Sequence, residues 1–145
     1  MSREDMDKLF KDYEAGFNKL DLKKISGFYA DTFISAGPKG LAVQNKKEFE
    51  EWAGQAIDFY RSVGLNSAKI VSKRTMPICN DYSMVVIRWG VTFEKTGNRL
   101  IEFDVSYIVY EDISPPQIIL FISHEDEKEA MKKLGLMQKV SGNLF

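Results

Sequence analysis

The sequence predicts an α+β domain: three helices around one strand, then a long run of antiparallel strands whose curvature leaves a hollow beneath the helices. Two observations carry that prediction. Apolar residues recur at helical spacing up to Gly64, and after it the period changes from 3.6 to 2. The strand-like stretches after Gly64 are joined by connections so short that they form a meander of antiparallel neighbours.

The elements follow in order. Met6, Leu9, Phe10, Tyr13, Phe17 and Leu20 mark one face of a helix over about residues 3–20. Asp21 caps a second, short helix with Leu22, Ile25, Phe28 and Tyr29 on its apolar side. "DTFISA" reads as a strand, and Gly37-Pro38-Lys39-Gly40 as a loop. Asn45 and Glu48 have the spacing of a capping box. The helix that they open carries Phe49, Trp52, Ala53, Ala56, Phe59, Tyr60 and Val63, and Gly64 suits its left-handed C-terminal position. Residues 68–76, 82–94, 99–111 and 117–125 then read as four consecutive strands. "DEKEAMKKLGL" reads as a further helix, and residues 126–145 as a helix-and-tail extension of a single domain.

The 145 residues fit one domain, and a chain of this length buries enough surface to fold without a metal or disulfide. A net charge of −1 gives no electrostatic footprint for nucleic acid or an anionic membrane. The single cysteine, Cys79, excludes an internal disulfide and a multi-cysteine zinc site. The start, "MSREDMDK", does not read as a signal peptide, and no apolar run reaches membrane-spanning length. The expectation is a cytoplasmic protein that needs no cofactor.

The stretch "YEAGFNKLDLKKISGFYADTFISAGPKG", residues 13–40, resembles the nuclear transport factor 2-like superfamily, with its SnoaL-like cyclases and ketosteroid isomerases. The shared pattern is an aromatic helix, an Asn-x-x-Asp-Leu corner, an aromatic-Ala-Asp turn, a strand and a Gly/Pro loop. The resemblance implies a cystatin-like cone and a homodimer formed through the outer face of the sheet. It also implies a site. The oxyanion-hole tyrosine of the isomerases falls on Tyr13, whose phenol would donate to a developing enolate oxygen. Their catalytic base falls on Gly37, which cannot take a proton. Their second oxyanion donor, an acid, falls on Val105, Ser106 or Tyr107.

The last of these depends on register, because a one-residue slip reverses which face looks inward. One register points Glu102, Asp104 and Ser106 into the cone, where burial would raise a carboxylate pKa and suit acid–base chemistry. The other points Ile101, Phe103, Val105, Tyr107 and Val109 inward. Matching them to the Val85, Ile87, Trp89, Val91 and Phe93 face selects the second register. It sets Arg88 near Asp104 or Ser106 on the opposite face.

His124, the only histidine, ends the last strand on the face of Ile118, Leu120 and Ile122. It reads either as a general base or donor at the rim of the cone, or as a strand-end or helix-cap residue among acids. The candidate catalytic set is thus Tyr13, His124 and Asp104. Phe17, Tyr29, Trp52, Tyr60, Trp89 and Tyr107 would line a pocket for a small apolar or aromatic molecule, since buried Tyr and Trp tips need polar partners. The rival expectation is a non-catalytic homodimeric module whose cone is filled by its own side chains. Inward carboxylates would favour the enzyme, and an apolar, filled cone would favour the module.

Overall fold

A computed structural model describes residues 3–97 and 99–125 of the chain. The helix and tail expected over residues 126–145 lie outside the described residues.

Helix α1 (Arg3–Asn18) buries Met6, Leu9, Phe10, Tyr13 and Phe17 along one side. It closes with paired bonds, Leu20 N–H to the Phe17 carbonyl and Asp21 N–H to the Gly16 carbonyl, both 2.9 Å. That closure puts Leu20 at φ 50°, where glycine is the usual residue. Leucine sits there because its side chain is needed inside, at 8% exposure. Asp21 then accepts the Lys24 N–H and starts α2 (Leu22–Ser26).

Strand β1 (Tyr29–Gly37) turns through Pro38 and Lys39 into β2 (Gly40–Asn45), with Gly40 at φ 131°. The expected loop is therefore the tip of a hairpin, and β2 was not foreseen. The capping box at Asn45 and Glu48 is present, with bonds of 2.8 and 3.2 Å, and opens α3 (Lys46–Ser62). Gly64 takes φ 73° just past it.

The meander follows as β3 (Leu65–Pro77), β4 (Tyr82–Phe93), β5 (Ile101–Tyr110) and β6 (Gln117–Ser123). The six strands form one sheet in the order β2-β1-β6-β5-β4-β3. The sheet is mixed rather than wholly antiparallel, because β6 returns to lie parallel to β1. Register shifts in β1, β3 and β6 add local twist and bend the sheet into the cone.

The β4–β5 pairing sets Val85 opposite Tyr107, Ile87 opposite Val105 and Trp89 opposite Phe103. All six are buried, so the apolar-to-apolar register is the one adopted. Two side chains of α1 then tie the helix to the backbone of the edge strand β3. Asn18 accepts the Ala68 N–H and donates to the Ala68 carbonyl, and Glu14 accepts the Ile70 N–H at 2.6 Å.

Candidate functional site

The concave side of the sheet gathers the aromatic residues. The Tyr13 and Tyr29 hydroxyls are bonded at 2.8 Å, and the Trp89 indole N–H donates to the Tyr107 hydroxyl at 3.0 Å. Tyr13 touches both pairs, with ring centroids 5.7 Å from Trp89 and 5.8 Å from Tyr107. Phe17 packs between Trp89 and Tyr60, and Phe49 packs on Tyr29. Tyr13, Phe17, Tyr29, Trp89 and Tyr107 are each 0% exposed, and Tyr60 is 1%. Trp52 stands apart, half-buried at the far side of Phe49. Three of the six expected pocket residues, Tyr29, Trp89 and Tyr107, thus pack on Tyr13, and Phe17 and Tyr60 continue the cluster from Trp89, all with almost no exposed surface. Burial, then the neighbouring Tyr107, holds the Tyr29 hydroxyl well above its ordinary pKa, while its bond to Tyr13 works the other way.

The other two expected catalytic residues lie on the opposite face. Asp104 alternates with the inward Phe103 and Val105, so it faces outward, level with Arg88 on β4. Arg88 donates through Nε to Glu102 at 2.7 Å and through Nη1 to Asp104 at 3.2 Å. These bonds, the Glu102 one foremost, raise the guanidinium pKa further.

His124 is also on the outer side, with Nε2 2.6 Å from the Ser106 hydroxyl and its backbone N–H donating to the Asp104 carbonyl. The expected alternation through Ile118, Leu120 and Ile122 is interrupted. Val109 pairs with Ile118 but Ile108 with Leu120, so Ile119 is an extra residue that reverses the faces. Ile118 turns inward at 0% exposure, and Ile122 turns outward at 41%. Tyr13 therefore meets neither Asp104 nor His124.

Gly37 ends β1 opposite Gly40. A Cβ there would make ordinary contact with Ser123, 3.7 Å away, so the position has room for a side chain that this chain does not supply. Among the described residues no three His, Cys, Asp or Glu side chains are grouped to hold a metal ion. A separate open cleft of about 690 Å3 runs between the α1–α2 corner and α3, lined by Lys19, Leu20, Asp21, Gly54 and Arg61 among others. None of the nine expected site residues reaches it.

Sequence reading missed two features. The first is the strand β2, whose Leu41 and Val43 alternate as a strand should but lie in a segment exposed along most of its length. The second is what the outer face carries. One apolar residue from each strand lies level with the next: Val43, Ile34, Leu120, Ile108, Met84 and Met76, in sheet order. The signal was present in the even-numbered positions of β4 and β5. Joining those to β1 and β2 requires the parallel β1–β6 pairing, which leaves no local trace.

A family model described as NTF2-like protein (DUF6841) matches residues 3–126. No curated protein matches the chain. Among solved structures, it is similar to an NTF-2 like protein of unknown function from Shewanella oneidensis, with TM-score 0.70 and 20% identity over 86% of this chain and 100% of that one. It is similar also to a protein of unknown function with a cystatin-like fold from Nostoc punctiforme, with TM-score 0.65 and 15% identity over 86% and 90% of the two chains. A ketosteroid isomerase-like protein from Erwinia carotovora atroseptica gives TM-score 0.57 and 16% identity over 81% and 91%. At these identities the likeness is one of fold. No helix among the described residues is long and apolar enough to cross a membrane.

Proposed function

The chain belongs to the NTF2-like family designated DUF6841, and from that premise we propose that it is a non-catalytic module that works as a homodimer through the outer face of its sheet. One observation carries the reading: the groups that would share acid–base work are divided between the two faces of the sheet. Tyr13 is enclosed among aromatic rings, while Asp104 and His124 point away from it. With glycine at the isomerase base position, the cone holds, among the described residues, phenols and no carboxylate to move a proton.

The outer face supplies the contact. The solvent side of an antiparallel sheet is ordinarily polar, yet here a row of six apolar side chains crosses all six strands. Ala36, Ile122 and Val86 extend it in the adjoining row. Five inter-strand spacings make the row roughly 24 Å long. The row would form the apolar centre of a standard interface, in which each partner buries ~800 Å2. The Arg88–Glu102–Asp104 cluster borders it with its charges already paired. Native mass spectrometry tests the proposal. The expected result is a dimer carrying no small molecule, reduced to a folded monomer by Ile108→Glu. A monomeric full-length chain overturns it.

A second reading, binding of a small apolar molecule inside the cone, is favoured by the Tyr13–Tyr29 and Trp89–Tyr107 bonds, which collect polar tips at an aromatic centre. It predicts a retained extra mass in the same spectrum, lost in Tyr13→Phe.

A further inference from the structure

The open cleft between the α1–α2 corner and α3 has the room that the aromatic cluster lacks. Its volume, about 690 Å3, lies in the range of small-molecule sites. Two of its lining residues are locally unfavourable choices. Leu20 holds φ 50°, a left-handed conformation that is costly for leucine. Gly54 is the middle residue of α3, where glycine is less stable than alanine. Packing does not require it: a Cβ on Gly54 would meet only Leu22 Cδ2, 3.9 Å away and in ordinary contact. The missing side chain leaves bare helix backbone as one wall of the cleft. Strained backbone gathers where ligands are held, and here it coincides with the cavity.

The charges around the cleft narrow the chemistry. Asp21 accepts the Lys24 N–H, Lys23 pairs with Glu50 at 3.4 Å, and Asp58 and Arg61 pair with each other at 3.8 Å. Lys19 on the α1–α2 corner and Glu51 on α3 remain, and neither has an ion pair among the described residues. They are opposite charges on opposite walls of one cleft. Between them lie the half-buried Leu22 and Gly54.

We propose that the cleft binds a short apolar peptide with both termini free. Its carboxylate lies toward Lys19, its ammonium toward Glu51, and its side chains over Leu22 and Gly54. A simple anion would leave Glu51 unmatched, and a simple cation would leave Lys19 unmatched. Each exposed ion pair is weak, so recognition rests on making both at once. Because the cleft is open, its occupant exchanges with solvent and does not survive as an added mass in the native spectrum. The cleft lies on the helical side of the sheet, so this site is independent of the dimer proposed above.

Leucyl-leucine is the probe, with two controls: its N-acetyl form, which lacks the ammonium, and its amide, which lacks the carboxylate. The free dipeptide is expected to shift the Gly54 amide resonance saturably and to leave that of Gly97, in the turn after β4, in place. Each control is expected to bind about fivefold more weakly by calorimetric titration. Lys19→Gln is expected to reduce the dipeptide to the level of its amide, and Glu51→Gln to the level of its N-acetyl form. Gly54→Leu fills the cleft and is expected to abolish binding while the denaturant midpoint is kept or raised. The Ile108→Glu monomer is expected to bind like the parent, so failure of the dimer and failure of the cleft are separable. Three results overturn the proposal: no saturable shift at Gly54, equal binding of the dipeptide and its two capped forms, or undiminished binding in a folded Gly54→Leu.

Discussion

Arg88 and Trp89 are consecutive residues of one strand, yet they belong to different chemical worlds. Trp89 is wholly enclosed and gives its one donor to Tyr107. Arg88 stands half-open on the other side with two carboxylates around it. The same split runs along β5, where Phe103 and Tyr107 face inward and Asp104 faces outward. A strand alternates its side chains, so a carboxylate next to an aromatic core residue in sequence is thereby removed from the core. Proximity along this chain separates acid from phenol rather than joining them.

The comparison can be broken most forcefully at Trp89. Trp89→Ala removes rings packed on Tyr13 and Phe17 and is expected to cost about 3–5 kcal/mol, read from the denaturant midpoint. Arg88→Met, one residue away, is expected to move that midpoint far less, because exposed ion pairs contribute little. Comparable losses from the two would mean that the faces are not energetically distinct. Asn18→Ala comes next. It leaves the N–H and carbonyl of Ala68 without their side-chain partner, at a cost of about 1–3 kcal/mol.

Tyr29→Phe follows, at about 1 kcal/mol for the lost bond to Tyr13. It also tests the electrostatics of the inner face. The folded protein holds the Tyr29 proton more tightly than the unfolded chain does. Stability is therefore flat in this respect below the ordinary tyrosine pKa of about 10, and declines as pH rises beyond it, where only the unfolded state releases the proton. Denaturation midpoints across alkaline pH are expected to fall less steeply in Tyr29→Phe than in the parent. The smallest effect is expected from added salt, which should lower the stability difference between Arg88→Met and the parent and leave that of Trp89→Ala unchanged.

Much of this division was legible before any coordinates. The inward pairing of β4 and β5 followed from matching two alternating apolar patterns, and the helices, their caps and Gly64 followed from local rules, except that α2 ends at Ser26 and leaves Tyr29, expected on its apolar side, to begin β1. What could not be read was long-range or hidden by one residue. Ile119 is a single extra position in β6, and it alone carries His124 to the outer face. The parallel pairing of β1 with β6 joins segments at opposite ends of the fold, so the apolar row it completes has no signature in any one window.

The tie between α1 and β3 has a consequence for assembly. A sheet edge with open amides invites a foreign strand to join it. Here Asn18 engages Ala68 and Glu14 engages Ile70, so a helix occupies the place of a seventh strand along the first half of β3. Those two amides should resist exchange with deuterated solvent far longer than those of Ser72–Met76 on the same edge, and filament growth from this side of the molecule has only that short remainder to start from.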